Sequence, residues 1–126
     1  YLDLNIDGDV YYKDVVGVTV SNSRPQRIQF WVDRNNAPYV ITKPLHKSQR
    51  TIKQTEDGVI FNIFVQVNYE LERLLLGFGE SLEVLKPLKL RNRILNKLRI
   101  ATYFLISFLK VFLEIVYVHL NYYYMQ

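Results

Sequence analysis

The stretch Val59-Ile60-Phe61-Asn62-Ile63-Phe64-Val65-Gln66-Val67 constrains the fold more than any other part of the chain. Phe61, Ile63, Val65 and Val67 alternate with Ile60, Asn62, Phe64 and Gln66. A period of two places the first set on one face of a strand and the second on the other. The first face is wholly apolar and must meet a core; the second is mixed, and Phe64 is its aromatic most open to solvent. Thr55-Glu56-Asp57-Gly58 precedes this strand as a hairpin turn with Asp-Gly at its centre. Thr51–Gln54 then reads as the partner strand.

The remaining elements follow from the same patterning. In Arg27–Val32, Ile28, Phe30 and Val32 alternate with Arg27, Gln29 and Trp31, giving a second strand with one buried face. Asp33 is placed to N-cap a short helix over residues 34–41, which Pro38 confines to its first turn. Residues 42–50 are polar, carry Pro44 and read as a loop. Asn68 is an N-cap with Glu70 and Glu72 in the first turn, where carboxylates favour the helix dipole. Leu71, Leu74 and Leu75 share one side of that helix, and Gly77-Phe78-Gly79 ends it. Residues 81–85 form a short strand, and Lys86-Pro87 opens a third helix. The order βαββαβ predicts an α+β, ferredoxin-like sandwich over residues 27–99, with an added long C-terminal helix.

Composition narrows the function classes. The chain has 126 residues and no cysteine, so disulfides, thiolate metal sites and a cysteine nucleophile are excluded. Its two histidines, His46 and His119, cannot build a histidine-rich metal centre, and no residue pattern implies a cofactor. The net charge of +4 permits contact with an anion without demanding it. The opening residues YLDLNIDGD lack a basic stretch followed by an apolar one, so they do not read as a signal peptide. The chain is expected to be a piece of a longer protein. His46 and Ser48 stand two residues apart with no acidic third member nearby, and no phosphate-binding glycine loop or HExxH occurs, so no enzyme activity is expected.

Several short motifs share one resemblance. Pro44-x-His46-x-Ser48-Gln49, the hairpin, Leu71 to Leu76, Gly77-Phe78-Gly79 and Glu83-Val84-Leu85-x-Pro87-x-x-Leu90-Arg91 occur in that order. Together they resemble the C-terminal extension of WYL-domain transcription regulators. Tyr11-Tyr12-Lys13-Asp14 and Gly17-Val18 are similar to the segment that closes the WYL domain itself. The resemblance runs over about residues 7–104. It divides the chain into the end of a WYL domain and a linker (1–26), the extension (27–99) and an apolar tail (100–126). Phe30-Trp31-Val32 is a strand of the extension and not the Trp-Tyr-Leu signature.

The resemblance implies a cytoplasmic, dimeric regulator with a helix-turn-helix domain, an Sm-like WYL barrel that senses a ligand, and this extension, which helps form the dimer. Nucleic-acid ligands are proposed in that family. Contact with operator DNA would belong to domains outside this chain.

Four sets of residues are candidates for contact. Lys43, His46, Lys47, Ser48, Gln49 and Arg50 gather cations, an imidazole, a hydroxyl and an amide in one loop, a composition suited to a small anion or a nucleic acid. The competing reading has Ser48 and Gln49 satisfying backbone groups while His46 packs on the sheet edge. Lys89, Arg93 and Lys97 recur at four-residue spacing on the third helix, as a solvated face or a steering surface for a polyanion. Trp31, Tyr39, Phe61 and Phe64 could stack on bases, although aromatics at strand spacing are more often core. These last two sets define the alternative function, a single-stranded nucleic-acid-binding module.

The tail is the fourth set. Leu98, Ala101, Leu105, Phe108, Phe112 and Ile115 recur at spacings of three and four, and Leu105, Phe108, Phe112 and Ile115 form the expected oligomer seam. A membrane span over residues 100–120 is less favoured, because Lys110, Glu114 and His119 are costly in lipid. A strand over residues 115–124 is the third reading.

Overall fold

The computed structural model describes residues 11–17 and 23–125. The opening residues 1–10, Val18 of the Gly17-Val18 motif and residues 19–22 lie outside the described residues.

The strands are β1 (Gln26–Asp33), β2 (Arg50–Gln54), β3 (Gly58–Val65) and β4 (Leu82–Lys86). The helices are α1 (Ala37–Thr42), α2 (Tyr69–Gly77) and α3 (Leu88–Tyr124). The strands form one antiparallel sheet in the order β2-β3-β1-β4. This is the α+β arrangement expected from the element order, with short helices between strands and a long helix after them. By contact, the chain divides into Tyr1–Ile94 and Leu95–Gln126, and α3 runs through the boundary in sequence.

Register explains the two faces. Ile28, Phe30 and Val32 of β1 lie opposite Ile63, Phe61 and Val59 of β3, and all six are buried. Phe30 and Phe61 stack with ring centroids 5.6 Å apart. Val65 of β3, Val84 of β4, Ala37 and Val40 of α1, Leu71 and Leu75 of α2, and Leu90 and Ile94 of α3 complete this core. All the helical core residues therefore cover one face of the sheet. The opposite face carries Arg27, Gln29 and Trp31 of β1 against Phe64, Asn62 and Ile60 of β3. Phe64 is 48% exposed, as its place on the mixed face predicts.

Four local expectations are corrected. The first helix begins at Ala37 rather than at residue 34, because Asp33 caps a turn: its Oδ1 accepts from the Asn36 backbone N–H at 2.8 Å and from Asn36 Nδ2 at 2.8 Å. Those bonds, the side-chain one first, hold the Asp33 carboxyl below its ordinary pKa. The strand expected at 81–85 runs Leu82–Lys86, since Ser81 closes a 3-10 turn after Gly79, whose φ of 56° is left-handed. β3 stops at Val65, before Val67. Finally, residues 115–124 are helical, not a strand.

Asn68 caps α2 as expected, its side chain accepting from Leu71 N at 2.8 Å. Glu72, on the same helix, is 2% exposed, and Arg93 of α3 reaches it twice: Nε lies 3.0 Å from Oε1 and Nη2 3.1 Å from Oε2. Of the two contacts the one from Nη2 is a hydrogen bond and the one from Nε is an ion-pair approach, and together they tie the two helices through a buried carboxylate.

Residues 11–17 dock on the same unit. Val15 is buried, Gln66 N donates to Asp14 O at 2.6 Å, and Asn68 Nδ2 donates to Val16 O at 3.3 Å.

Candidate functional site

The loop between α1 and β2 uses its polar groups on itself and on neighbouring backbone. His46 Nδ1 accepts from the Ser48 backbone N–H at 3.1 Å, so Nε2 carries the proton and donates to Lys13 O at 2.6 Å. The Ser48 hydroxyl lies 2.7 Å from the same Nδ1 and accepts from Phe64 N at 2.8 Å. One serine thereby continues the β2–β3 ladder past the end of β2. Gln49 closes the other side: its Oε1 accepts from Leu45 N at 2.9 Å and its Nε2 donates to Val40 O at 3.0 Å.

The cations of this loop do not converge. Lys43 Nζ sits 5.5 Å from the Tyr39 ring centroid, and Arg50 Nη1 folds back onto Gln49 O at 2.8 Å. Lys47 is exposed. Replacing Ser48 by Ala is expected to cost about 1 kcal/mol, the worth of a lost neutral hydrogen bond. Faster amide exchange at Phe64 checks it; an unchanged Phe64 rate would contradict the assignment.

The three positions on α3 also separate by role. Arg93 is committed to Glu72, whereas Lys89 is exposed and lines a cleft with Ser23, Gln26, Val67, Pro87, Leu90 and Arg93. Lys97 is half-buried and belongs to the second unit.

The open sheet face offers a different set. Arg27 and Gln29 of β1, Asn62 of β3, Ile52 of β2 and Lys86 at the end of β4 line a shallow depression of about 290 Å³. Strand register makes the set: Gln29 lies opposite Asn62 on one side and Lys86 on the other. Two carboxamides, each with a donor and an acceptor, are flanked by two cations and one apolar side chain, with no carboxylate in the lining. Glu83 of β4 is paired with Arg91 at 2.7 Å. Trp31, the single tryptophan of the chain, follows Gln29 on the same face, and Phe64 follows Asn62. Such an arrangement can neutralise an anionic group while hydrogen-bonding a polar edge beside it. Sequence reasoning missed these residues as a set because they come from four strands. The available signal was two carboxamides, Gln29 and Asn62, at mid-strand positions on the face turned away from the core.

Among the described residues no group of histidine, aspartate or glutamate is arranged to hold a metal ion.

Comparison with known proteins places this fold in a class. Residues 24–101 match the model of the WCX domain, so the chain belongs to the WCX family. This domain is the C-terminal extension of WYL-domain regulators, a regulatory module of transcription regulators. No curated protein matches the chain.

Proposed function

We propose that this chain is the ligand-sensing and pairing module of a WYL-type transcription regulator, and that it catalyses no reaction. The observation that carries the reading is the open sheet face of a WCX domain. It presents Arg27, Gln29, Asn62 and Lys86 around one depression with no acidic member. An anionic ligand seated there touches β1, β3 and β4 together. If its affinity differs between two arrangements of paired copies, binding shifts the population between them, and with it the spacing of the DNA-binding heads.

Pairing is assigned to the seam Leu105, Phe108, Phe112 and Ile115, each of which is more than half exposed along α3. Membrane insertion is the less favoured use of this helix, although its length and composition would allow it to cross a bilayer.

Replacing Arg27 and Lys86 together by Glu is expected to weaken binding of a short single-stranded oligonucleotide or a nucleoside monophosphate by tenfold or more. Tenfold corresponds to about 1.4 kcal/mol, within reach of two lost charge-assisted contacts. Lys43→Ala with Lys47→Ala should leave affinity within about twofold, since neither residue faces the depression. The reverse pattern would move the site to the α1–β2 loop.

A second reading has one observation in its favour: Trp31 and Phe64 share the open face with these cations, as base-stacking surfaces require. Direct single-strand binding would give a steep fall of affinity with salt, whereas a small ligand with one charged group would give a shallow one.

A further inference from the structure

We infer that residues 11–17 are a strap whose docking is coupled, through His46 and Ser48, to the open face of the sheet. The strap lies outside the residues matched by the WCX model. The coupling goes beyond the ligand reading and does not rest on it.

Three donors hold the strap by its backbone carbonyls. His46 Nε2 donates to Lys13 O at 2.6 Å, Gln66 N to Asp14 O at 2.6 Å and Asn68 Nδ2 to Val16 O at 3.3 Å. The donors come from the α1–β2 loop, from the residue after β3 and from the cap of α2. Among these bonds Val15 is 5% exposed, and Val16 packs against the main core. Two adjacent valines taken out of water and three satisfied carbonyls make the segment an integral part of the unit.

The histidine bond is the last link of a longer chain. Phe64 N–H donates to Ser48 Oγ at 2.8 Å. The Ser48 hydroxyl has two acceptors in reach, His46 Nδ1 at 2.7 Å and Phe64 O at 3.4 Å, and the shorter contact fixes its direction. His46 Nε2–H then meets Lys13 O. Donation runs one way from strand to strap, so each bond polarises the next. Without Lys13 O the imidazole loses the acceptor that fixes its tautomer and ring orientation. Ser48 then loses a fixed partner at Nδ1, and the Phe64 amide loses a fixed acceptor in Ser48.

Phe64 carries the effect to the open face. It lies opposite Arg27 in the β1–β3 register and two residues from Asn62 on the same face. Ser48 reaches it ahead of the first residue of β2, Arg50, so the serine closes this end of the sheet. A docked strap therefore steadies the rim of the depression that Arg27 and Asn62 line, and a released strap loosens it. Movement of the chain ahead of residue 11 is felt on the ligand face by this route.

Hydrogen exchange of single amides in the full chain tests the coupling. Val15→Asp places a charge at a buried strap position and leaves His46, Ser48 and Phe64 in place. Exchange is expected to rise about fivefold or more at Gln66, which donates to the strap, and at Phe64, three bonds along the chain, the ratio for one lost hydrogen bond. Phe30 and Phe61, at the centre of the β1–β3 ladder, keep their parent rates and report an intact fold. Should the aspartate speed those two as well, Val15→Ala, read at the same amides, takes its place. His46→Ala cuts the chain and leaves Gln66 protected; in that background Val15→Asp speeds Gln66 and adds nothing at Phe64. A faster Gln66 with an unchanged Phe64 would overturn the coupling. Unchanged rates at both would overturn the strap itself, and a further rise at Phe64 in the double variant would overturn the route through His46.

Discussion

Gly58→Ala is expected to destabilise the domain by about 2–3 kcal/mol, the range for overpacking where a backbone must move. A Cβ on Gly58 would fall on the Val32 carbonyl oxygen and lie 2.6 Å from Trp31 Nε1 and 2.7 Å from Trp31 Cε2. Gly58 pairs with Asp33 at the end of the β1–β3 ladder, so neither strand can yield without losing register. The Asp57-Gly58 dipeptide suggests another reason for the glycine, a left-handed turn conformation. Among the described residues the glycines with positive φ are Gly17 and Gly79, so Gly58 is required for space. The two explanations diverge at Gly58→Asn. Asparagine tolerates left-handed backbone and would be accepted if conformation were the reason. Space predicts that Asn costs at least as much as Ala, read from denaturant midpoints.

Arg93→Ala is expected to cost about 2–3 kcal/mol. Its side chain is half-exposed, but its partner carboxylate is 3% exposed and would stay buried without the arginine's charge. The discount from the full cost of breaking a buried pair reflects water entering where the arginine side chain was. Glu72→Gln, which removes the buried charge, should cost less than Arg93→Ala. The double variant should recover part of the arginine loss. Additive losses would mean that the pair carries no coupling, contrary to its close ion-pair and hydrogen-bond contacts. This pair also bears on the basic face of α3, since a residue that reads as a free cation by spacing is a structural tie.

Asp33 sets a smaller, pH-dependent effect. Its folded pKa is depressed, so the turn it caps is fully supported at neutral pH, and the support is lost as pH falls through the folded value. An Asp33→Asn chain should lack that acid limb.

What was legible in the sequence follows local periodicity. Phe61, Ile63 and Val65 announced their burial because every second residue of a strand shares a face. Asn68 announced its cap because few side chains can accept from the third amide of a helix. Leu105 through Ile115 announced a helix by steps of three and four. The limits of α1 were not legible, because Asp33 has two ways of satisfying amides and the turn competes with a helix start. Nor was the depression of Arg27, Gln29, Ile52, Asn62 and Lys86, because register and bulges in two strand pairs bring these residues together. The roles of His46, Ser48 and Gln49 depend on partners up to 33 residues away, Lys13 among them. A loop rich in polar residues looks the same whether those groups face a ligand or the backbone.

Trp31 makes the decisive measurement simple, because the chain has no other tryptophan and this one stands on the open face beside the depression. Its emission can be followed while a short single-stranded oligonucleotide or a nucleoside monophosphate is added to the full chain. A saturable change in Trp31 emission, abolished by Arg27→Glu with Lys86→Glu and retained in Lys43→Ala with Lys47→Ala, is the predicted result. Saturable binding detected by calorimetry, with Trp31 emission unmoved and affinity indifferent to Arg27 and Lys86, would contradict a ligand site on this face.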